Sequence, residues 1–259
     1  MAVDGSGSTE SALVAEGVRV HYDGVRAVDG VDLRLEKGQI IGLIGPNGAG
    51  KTTLLNAISG FVPLTAGKVT IAGEDVSALP AHRLLGHGLV RTFQEVATFP
   101  ALSVFENVEL GALGAGMSRR EARARSTELL ATFGLDEWAD EPASVVPHGQ
   151  ERRLGIARAV AAAPQFLLLD EPAAGLDDDE SVTLADTIAA IREEYGCGVL
   201  LVEHDMRVIF RVCESIQVLD FGETMASGSP EEIRTNDKVI AAYLGAEGAA
   251  AVKEQRAEG

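Results

Sequence analysis

The segment GPNGAGKT, Gly45 to Thr52, stands between the apolar run IIGLI and the sequence TLLNAISG. No other stretch constrains the fold as tightly. Its glycines let the chain curl backbone N–H groups around an anion, which works when a strand delivers the loop and a helix carries it away. At average residue usage the bare pattern arises by chance in roughly 1 of 100 chains of this length, and the flanking strand and helix lower that figure. The expected unit is a buried strand, a phosphate-cradling loop and a helix that Gly60 ends. Gly45, Pro46, Asn47, Gly48, Ala49, Gly50, Lys51, Thr52 and Thr53 are therefore candidate nucleotide contacts. Lys51 suits the β- and γ-phosphates, and the Thr52 hydroxyl suits Mg²⁺.

The rest of the chain alternates between strand and helix signals. Val31, Leu33 and Leu35 alternate with Asp32, Arg34 and Glu36, as in a half-buried strand. KVTIAG, QFLLLDE, GVLLVEHD and SIQVLDFG read as further strands. A short helix is expected from about Pro80, and Ser118 with Glu121 forms a capping box for a helix reaching Phe133. Leu184, Ile188, Ile191 and Tyr195 make one apolar helical face before Gly196, and Ser229, Pro230 and Glu232 start a last helix. The pattern predicts an α/β protein with a largely parallel sheet and a mainly helical lobe near residues 95–160. The segments 1–11 and 246–259, rich in Gly, Ser, Ala and Glu, are expected to be flexible tails around one domain over 12–245.

A second chemical signal closes the run LLLDE. Where a P-loop is present, an Asp at the end of such a strand holds Mg²⁺ through water, a role open to Asp170. Glu171 follows at once, placed to polarise a water that attacks the γ-phosphate, which favours hydrolysis over phosphate transfer to a small substrate. No Asn-Lys-x-Asp for guanine reading occurs; TNDK near Asn236 has the wrong order.

Composition narrows the partners. A formal charge of −17 argues against nucleic acid, since an acidic surface repels phosphate backbones. Cys197 and Cys213 are the two cysteines, with no metal-ligand spacing, and are expected to be packing residues in a reducing compartment. No basic segment followed by an apolar core opens the chain, and no apolar run suits a membrane span, so a membrane role has to come through a partner. Arg119, Arg120, Arg123 and Arg125 in SRREARAR predict a solvated helix face, and the DDDE run after Leu176 predicts a helix N-terminus.

Between the two acidic and Gly-rich motifs lies VPHGQERRLGIARA. With it, roughly Val14 to Leu244 resembles the ATP-binding subunit of an ABC transporter. That family's signature helix opens LSGGQ, and its N-terminus meets the γ-phosphate of ATP bound by the other subunit. Gly149 and Gln150 match, whereas Val146, Pro147 and His148 depart, Pro147 standing where the family's Ser supplies a hydroxyl. Pro147 also reads simply as the first residue of a helix. The resemblance implies a P-loop NTPase (RecA-like) core with an antiparallel β subdomain and an inserted helical subdomain. It implies ATP and Mg²⁺ as ligands, with Thr52, Gln94 and Asp170 at the metal. Glu171, His204 as γ-phosphate sensor and Gln94 become the catalytic set. Tyr22 is implied to stack on adenine, and Asp177 to sit in the loop that crosses the dimer interface. His21, His82 and His87 match nothing in the family.

The combination RTFQ, DEPAAGL, VEHDM and AAYLG is similar to ATPase subunits of branched-chain amino acid importers, whose relatives carry other polar solutes. This implies transmembrane permease subunits, a second ATPase subunit (identical or a sibling) and, indirectly, a solute-binding protein as partners. The implied location is the cytoplasmic face of the cell membrane, peripheral through the permease. Two other readings stay open. A soluble ABC ATPase of assembly or repair uses the same engine, though many carry two P-loops and this chain has one. A regulatory module could dimerise on ATP yet hydrolyse poorly, which the Pro147 departure favours and Glu171 with His204 opposes.

Overall fold

The computed structural model describes residues 11–94 and 97–243; apart from Ser11, both expected tails lie outside them. β1 (Ala12–Tyr22) and β2 (Val25–Glu36) form an antiparallel hairpin. The sequence alternation does not reveal β1, and its pairing shows why. Leu13, Ala15, Val18 and Val20 are buried, so the period of two is broken between Ala15 and Val18, where the register shifts. Gly17 takes a left-handed φ of 56° at that irregularity, and its N–H donates to Oδ1 of Asp32.

β3 (Ile40–Ile44) is buried throughout and runs through the Gly-rich loop into α1 (Lys51–Ile58). β4 (Ala66–Ile71) returns beside β1, and β5 (Glu74–Asp75) completes an antiparallel sheet of order β2-β1-β4-β5. The short α2 (Ala81–Leu84), N-capped by Pro80 as expected, leads towards β6 (Leu89–Arg91). Next come α3 (Val104–Gly114), α4 (Arg119–Thr132) and α5 (His148–Ala161). β7 (Phe166–Asp170), α6 (Asp178–Tyr195), β8 (Gly198–Val202) and α7 (Met206–Val212) follow. β9 (Ser215–Asp220), β10 (Glu223–Gly228) and α8 (Pro230–Thr235) are the last labelled elements.

The second sheet has the order β10-β9-β3-β8-β7-β6 and is parallel except at β10. Its central strands read as unbroken apolar runs because both faces are covered. Ile40, Ile44, Leu167, Leu169, Val199 and Leu201 join the core shared with α3 to α6. Ile41, Leu43, Leu168, Leu200 and Val202 face the opposite core, with α1 and the antiparallel sheet. The α/β architecture, with its mainly parallel sheet, antiparallel sheet and intervening helices, is as expected.

Helix ends follow their local chemistry. Capping boxes join Ser118 to Glu121, Ser229 to Glu232 and, unforeseen in the sequence, Ser103 to Glu106. The arginine run is the solvated, capped helix face expected except at Arg125. Arg119 and Arg120 face outward, but the Arg125 guanidinium donates to the Val160 carbonyl and lies 4.8 Å over Tyr195. Arg123 lies 5.0 Å over Phe105. Long arginine stems carry apolar packing as well as charge, which a charge count overlooks. Among the described residues, no helix is long and apolar enough to cross a membrane.

Candidate nucleotide site

The loop after β3 can be tight only where side chains are absent. Gly45 adopts φ 150°, and a Cβ there would meet the Leu219 carbonyl at 2.2 Å. Gly50, the N-cap of α1, adopts φ 101°, and a Cβ would strike the Ala27 carbonyl at 2.4 Å. No side chain caps α1 and no acidic residue occupies its first turn, so the N–H groups and dipole of this helix end favour an anion. Lys51 is buried, and its Nζ donates to the carbonyls of Gly45 at 2.7 Å and Pro46 at 3.1 Å. Burial holds the ammonium below the usual lysine range, against the pull of the carboxylates of Glu171 and Asp170.

A cavity of about 360 Å³ lies over this loop. Asn47 to Thr53 form its floor, Glu171 and His204 one wall, and Val25, Arg26, Ala27 and Phe221 the rest. The latter four carry no sequence signal of this role, because β2 and the β9–β10 turn reach the loop only through the fold. The turn is anchored there: the Gly222 N–H donates to the Ala49 carbonyl, and the Asp29 N–H donates to the Gly222 carbonyl. Tyr22 is half-exposed at the end of β1, paired with Val25, but does not itself line the cavity.

Parallel pairing of β7 with β8, and of β8 with β3, brings their C-terminal ends to one edge of the sheet. Glu171, His204 and Gln94 converge there. Glu171 Oε1 lies 2.7 Å from His204 Nε2, and its Oε2 accepts from Gln94 Nε2 at 2.9 Å. Glu171 takes a left-handed φ of 49°, and its N–H donates to the Val202 carbonyl at 2.8 Å. Beside it Glu203 is buried and accepts from the N–H groups of Ala173, His204 and Asp205. Burial pushes its carboxyl above the usual range, while those N–H groups oppose the rise. Asp170 is buried behind the cavity wall, with Oδ2 accepting from Arg91 Nη2 at 2.8 Å. Neither Glu203 nor Arg91 is distinguishable in sequence as a site residue: Arg91 acts through partners remote along the chain, and Glu203 reaches Ala173 only through the fold.

The signature segment lies elsewhere. Gly149 and Gln150, at the start of α5, do not line the cavity of their own chain. Pro147 is the N-cap in extended backbone, φ −60° and ψ 158°, and not the first helical residue expected; no side chain caps this helix. Gly149 is buried, and a Cβ there would meet Glu180 Oε1 at 2.5 Å. Asp177 is exposed and N-caps α6 through its bond from the Glu180 N–H. Arg152 joins this region to the segments on either side of Glu171's contacts, donating to the carbonyls of Gln94 and Ala174. A separate apolar groove of about 470 Å³, lined by Phe93, Phe99, Leu110 and Arg158 among others, opens beside Gln94.

Comparison with known proteins shows what the chain is similar to. The sequence pattern of the ABC transporter family matches residues 28–174. That of the branched-chain amino acid ATP-binding cassette transporter matches residues 223–249. The high-affinity branched-chain amino acid transport ATP-binding protein BraF of Pseudomonas aeruginosa is 40% identical over 248 residues, 90% of this chain and 97% of its own. A nucleotide-free ATP-binding cassette from an ABC transporter superposes with a TM-score of 0.81 at 26% identity, across 90% of this chain and 98% of that one. A dimeric ATP-binding cassette in a post-hydrolysis state, bound to ADP and phosphate, gives 0.73 at 28% identity, across 84% and 98%.

Proposed function

The chain belongs to the ABC transporter family, and from that premise we propose that it binds and hydrolyses ATP to power an importer of branched-chain amino acids or similar polar solutes. The observation that carries the reading is the grip of His204 and Gln94 on the two oxygens of Glu171, at the strand end beside the phosphate loop.

In this reading the loop from Gly45 to Thr53 cradles the phosphates, with Lys51 turning from its loop carbonyls to the β- and γ-phosphates. The adenine stacks on Tyr22 at the open end, with Val25 and Phe221 as apolar walls. Glu171 takes the proton of the attacking water, and His204 holds the carboxylate and senses the γ-phosphate. The donor set fits Mg²⁺: a hydroxyl from Thr52, an amide oxygen from Gln94 and a carboxylate from Asp170, all hard oxygens without a thiolate. In this reading the ion is held largely through the substrate phosphates. Bound there, Mg²⁺ neutralises charge developing on the phosphates.

The partners follow. The N-terminus of α5, which no side chain caps, lies outside its own chain's cavity with Gly149 and Gln150 and suits the nucleotide of a second ATPase subunit, identical or a sibling, with Asp177 beside the seam. The apolar groove beside Gln94 suits the transmembrane permease, which keeps this subunit at the cytoplasmic face of the membrane and links it to a solute-binding protein. The net charge of −17 argues against nucleic acid as a partner.

Reconstitution with its permease and solute-binding protein in liposomes tests the reading. Solute-stimulated ATP hydrolysis with leucine uptake is expected. Absence of hydrolysis removes the enzymatic reading, and hydrolysis indifferent to every branched-chain amino acid removes the solute assignment.

A further inference from the structure

Arg91 ends β6 with its side chain only 5% exposed, against an Asp170 side chain 7% exposed. Nη2 donates to Asp170 Oδ2 at 2.8 Å, while Nη1 donates to Asn56 Oδ1 at 2.6 Å and to Ser59 Oγ at 3.0 Å. Asn56 belongs to α1 and Ser59 is its C-cap, so one guanidinium ties the helix that begins with Lys51 and Thr52 to the strand that ends in Asp170. The other side of the guanidinium is aromatic. Its carbon lies 5.6 Å from the Phe61 centroid and 5.1 Å from that of Phe93, and the two rings meet edge to face at 5.3 Å.

We propose that Arg91 is a positioning residue for the magnesium site, fixing Asp170 relative to α1 and hence to Thr52. This rests on the ATP-hydrolysing reading above. Oδ2 accepts from Arg91, and Oδ1 would remain to accept from water on a bound Mg²⁺. A planar donor that grips a carboxylate and a helix at once sets both the angle of the carboxylate and its distance from that helix. Without its partner, a carboxylate this buried turns towards another cation. Lys51, whose ammonium already feels Asp170, is the cation at hand. That turn withdraws a metal ligand while leaving the phosphate loop intact. Phe61 and Phe93, both partly exposed, cover the guanidinium where the apolar grooves open, so Asp170 is held from beneath the face assigned to the permease.

The test uses the full chain with Arg91→Met and Arg91→Lys. Thermal stabilisation by ATP is followed as Mg²⁺ is titrated, and ATP affinity is measured separately in EDTA. For Arg91→Met the half-saturating Mg²⁺ concentration should rise about tenfold, with metal-free ATP affinity within about twofold of wild type. Lysine, with one ammonium for three acceptors, should fall between the two, shifted by more than about threefold. If Arg91→Met does not fold, Arg91→Lys decides alone by the same threshold. A Mg²⁺ half-point within about threefold of wild type, or an equal loss of metal-free ATP affinity, overturns the positioning role. Wild-type protein that ATP and Mg²⁺ do not stabilise would overturn the functional reading itself, and Arg91 with it.

Discussion

His204 Nε2 lies 2.7 Å from Glu171 Oε1, although the two residues are 33 positions apart. Adjacent parallel strands make this possible, since β7 and β8 leave the sheet at the same end, β7 passing directly into Glu171 and β8 reaching His204 one residue beyond Glu203. The carboxylate is also held from its backbone. A left-handed φ at a non-glycine residue costs on the order of 1–3 kcal/mol and persists only where surroundings over-determine it. Here the bond to Val202, the imidazole and the Gln94 amide do so.

Glu171→Gln keeps the size and both hydrogen-bonding partners, so MgATP binding should survive while turnover falls by about 10²–10⁴, the usual contribution of a general base. Steady-state hydrolysis and the ATP-induced rise in melting temperature separate the two effects. Near-normal hydrolysis would remove Glu171 from the role.

Gln94 touches Glu171 through its side chain, and its carbonyl accepts from Arg152. In the assembled transporter, Gln94→Ala should therefore lose most of its solute-stimulated turnover, with ATP affinity changed by less than about threefold, because the phosphate loop is untouched. Intact stimulation together with weakened ATP binding would contradict this.

What was legible in the sequence follows from how local the chemistry is. The phosphate loop must be contiguous, so Gly45 to Thr53 announces itself, and strands covered on both faces read as apolar runs. Capping boxes such as Ser118 with Glu121 are equally local. Arg91 was not legible: its partners Asn56, Ser59 and Asp170 come from other elements. The same holds for Arg125 on Tyr195, and for Val25 and Phe221 in the cavity wall. β1 was hidden by its own bulge, where the break at Gly17 defeats the period of two.

Cys197 and Cys213 are both buried, and burial pushes each thiol up to about 12. At neutral pH neither forms appreciable thiolate. The folded chain should leave a disulfide reagent such as 5,5′-dithiobis(2-nitrobenzoate) unreacted, and both thiols should titrate in denaturant. Rapid labelling of the native protein would show that one of them is reachable.

The uncapped start of α5 yields the sharpest test of a site built from two chains. A carboxylate placed there should repel a phosphate arriving from the partner. Gly149 is the obvious position, yet its Cβ would meet Glu180 Oε1 at 2.5 Å and disturb the α6 cap within the same chain. His148 is better: it is exposed, opens the same helix, and an acidic residue in a first turn favours folding. We pair Lys51→Ala, which empties one phosphate cradle, with His148→Asp, which blocks one signature, and add Glu171→Gln to both so that hydrolysis does not dissolve the complex. Each variant alone has no intact composite site, whereas the mixture has one. Differently tagged variants should therefore associate with ATP and not with ADP, more strongly in the mixture than in either alone. If the second ATPase is a sibling, the same substitutions are divided between the two chains. Equal association in all three preparations would sink the shared site, leaving Pro147 as nothing more than the N-cap of α5.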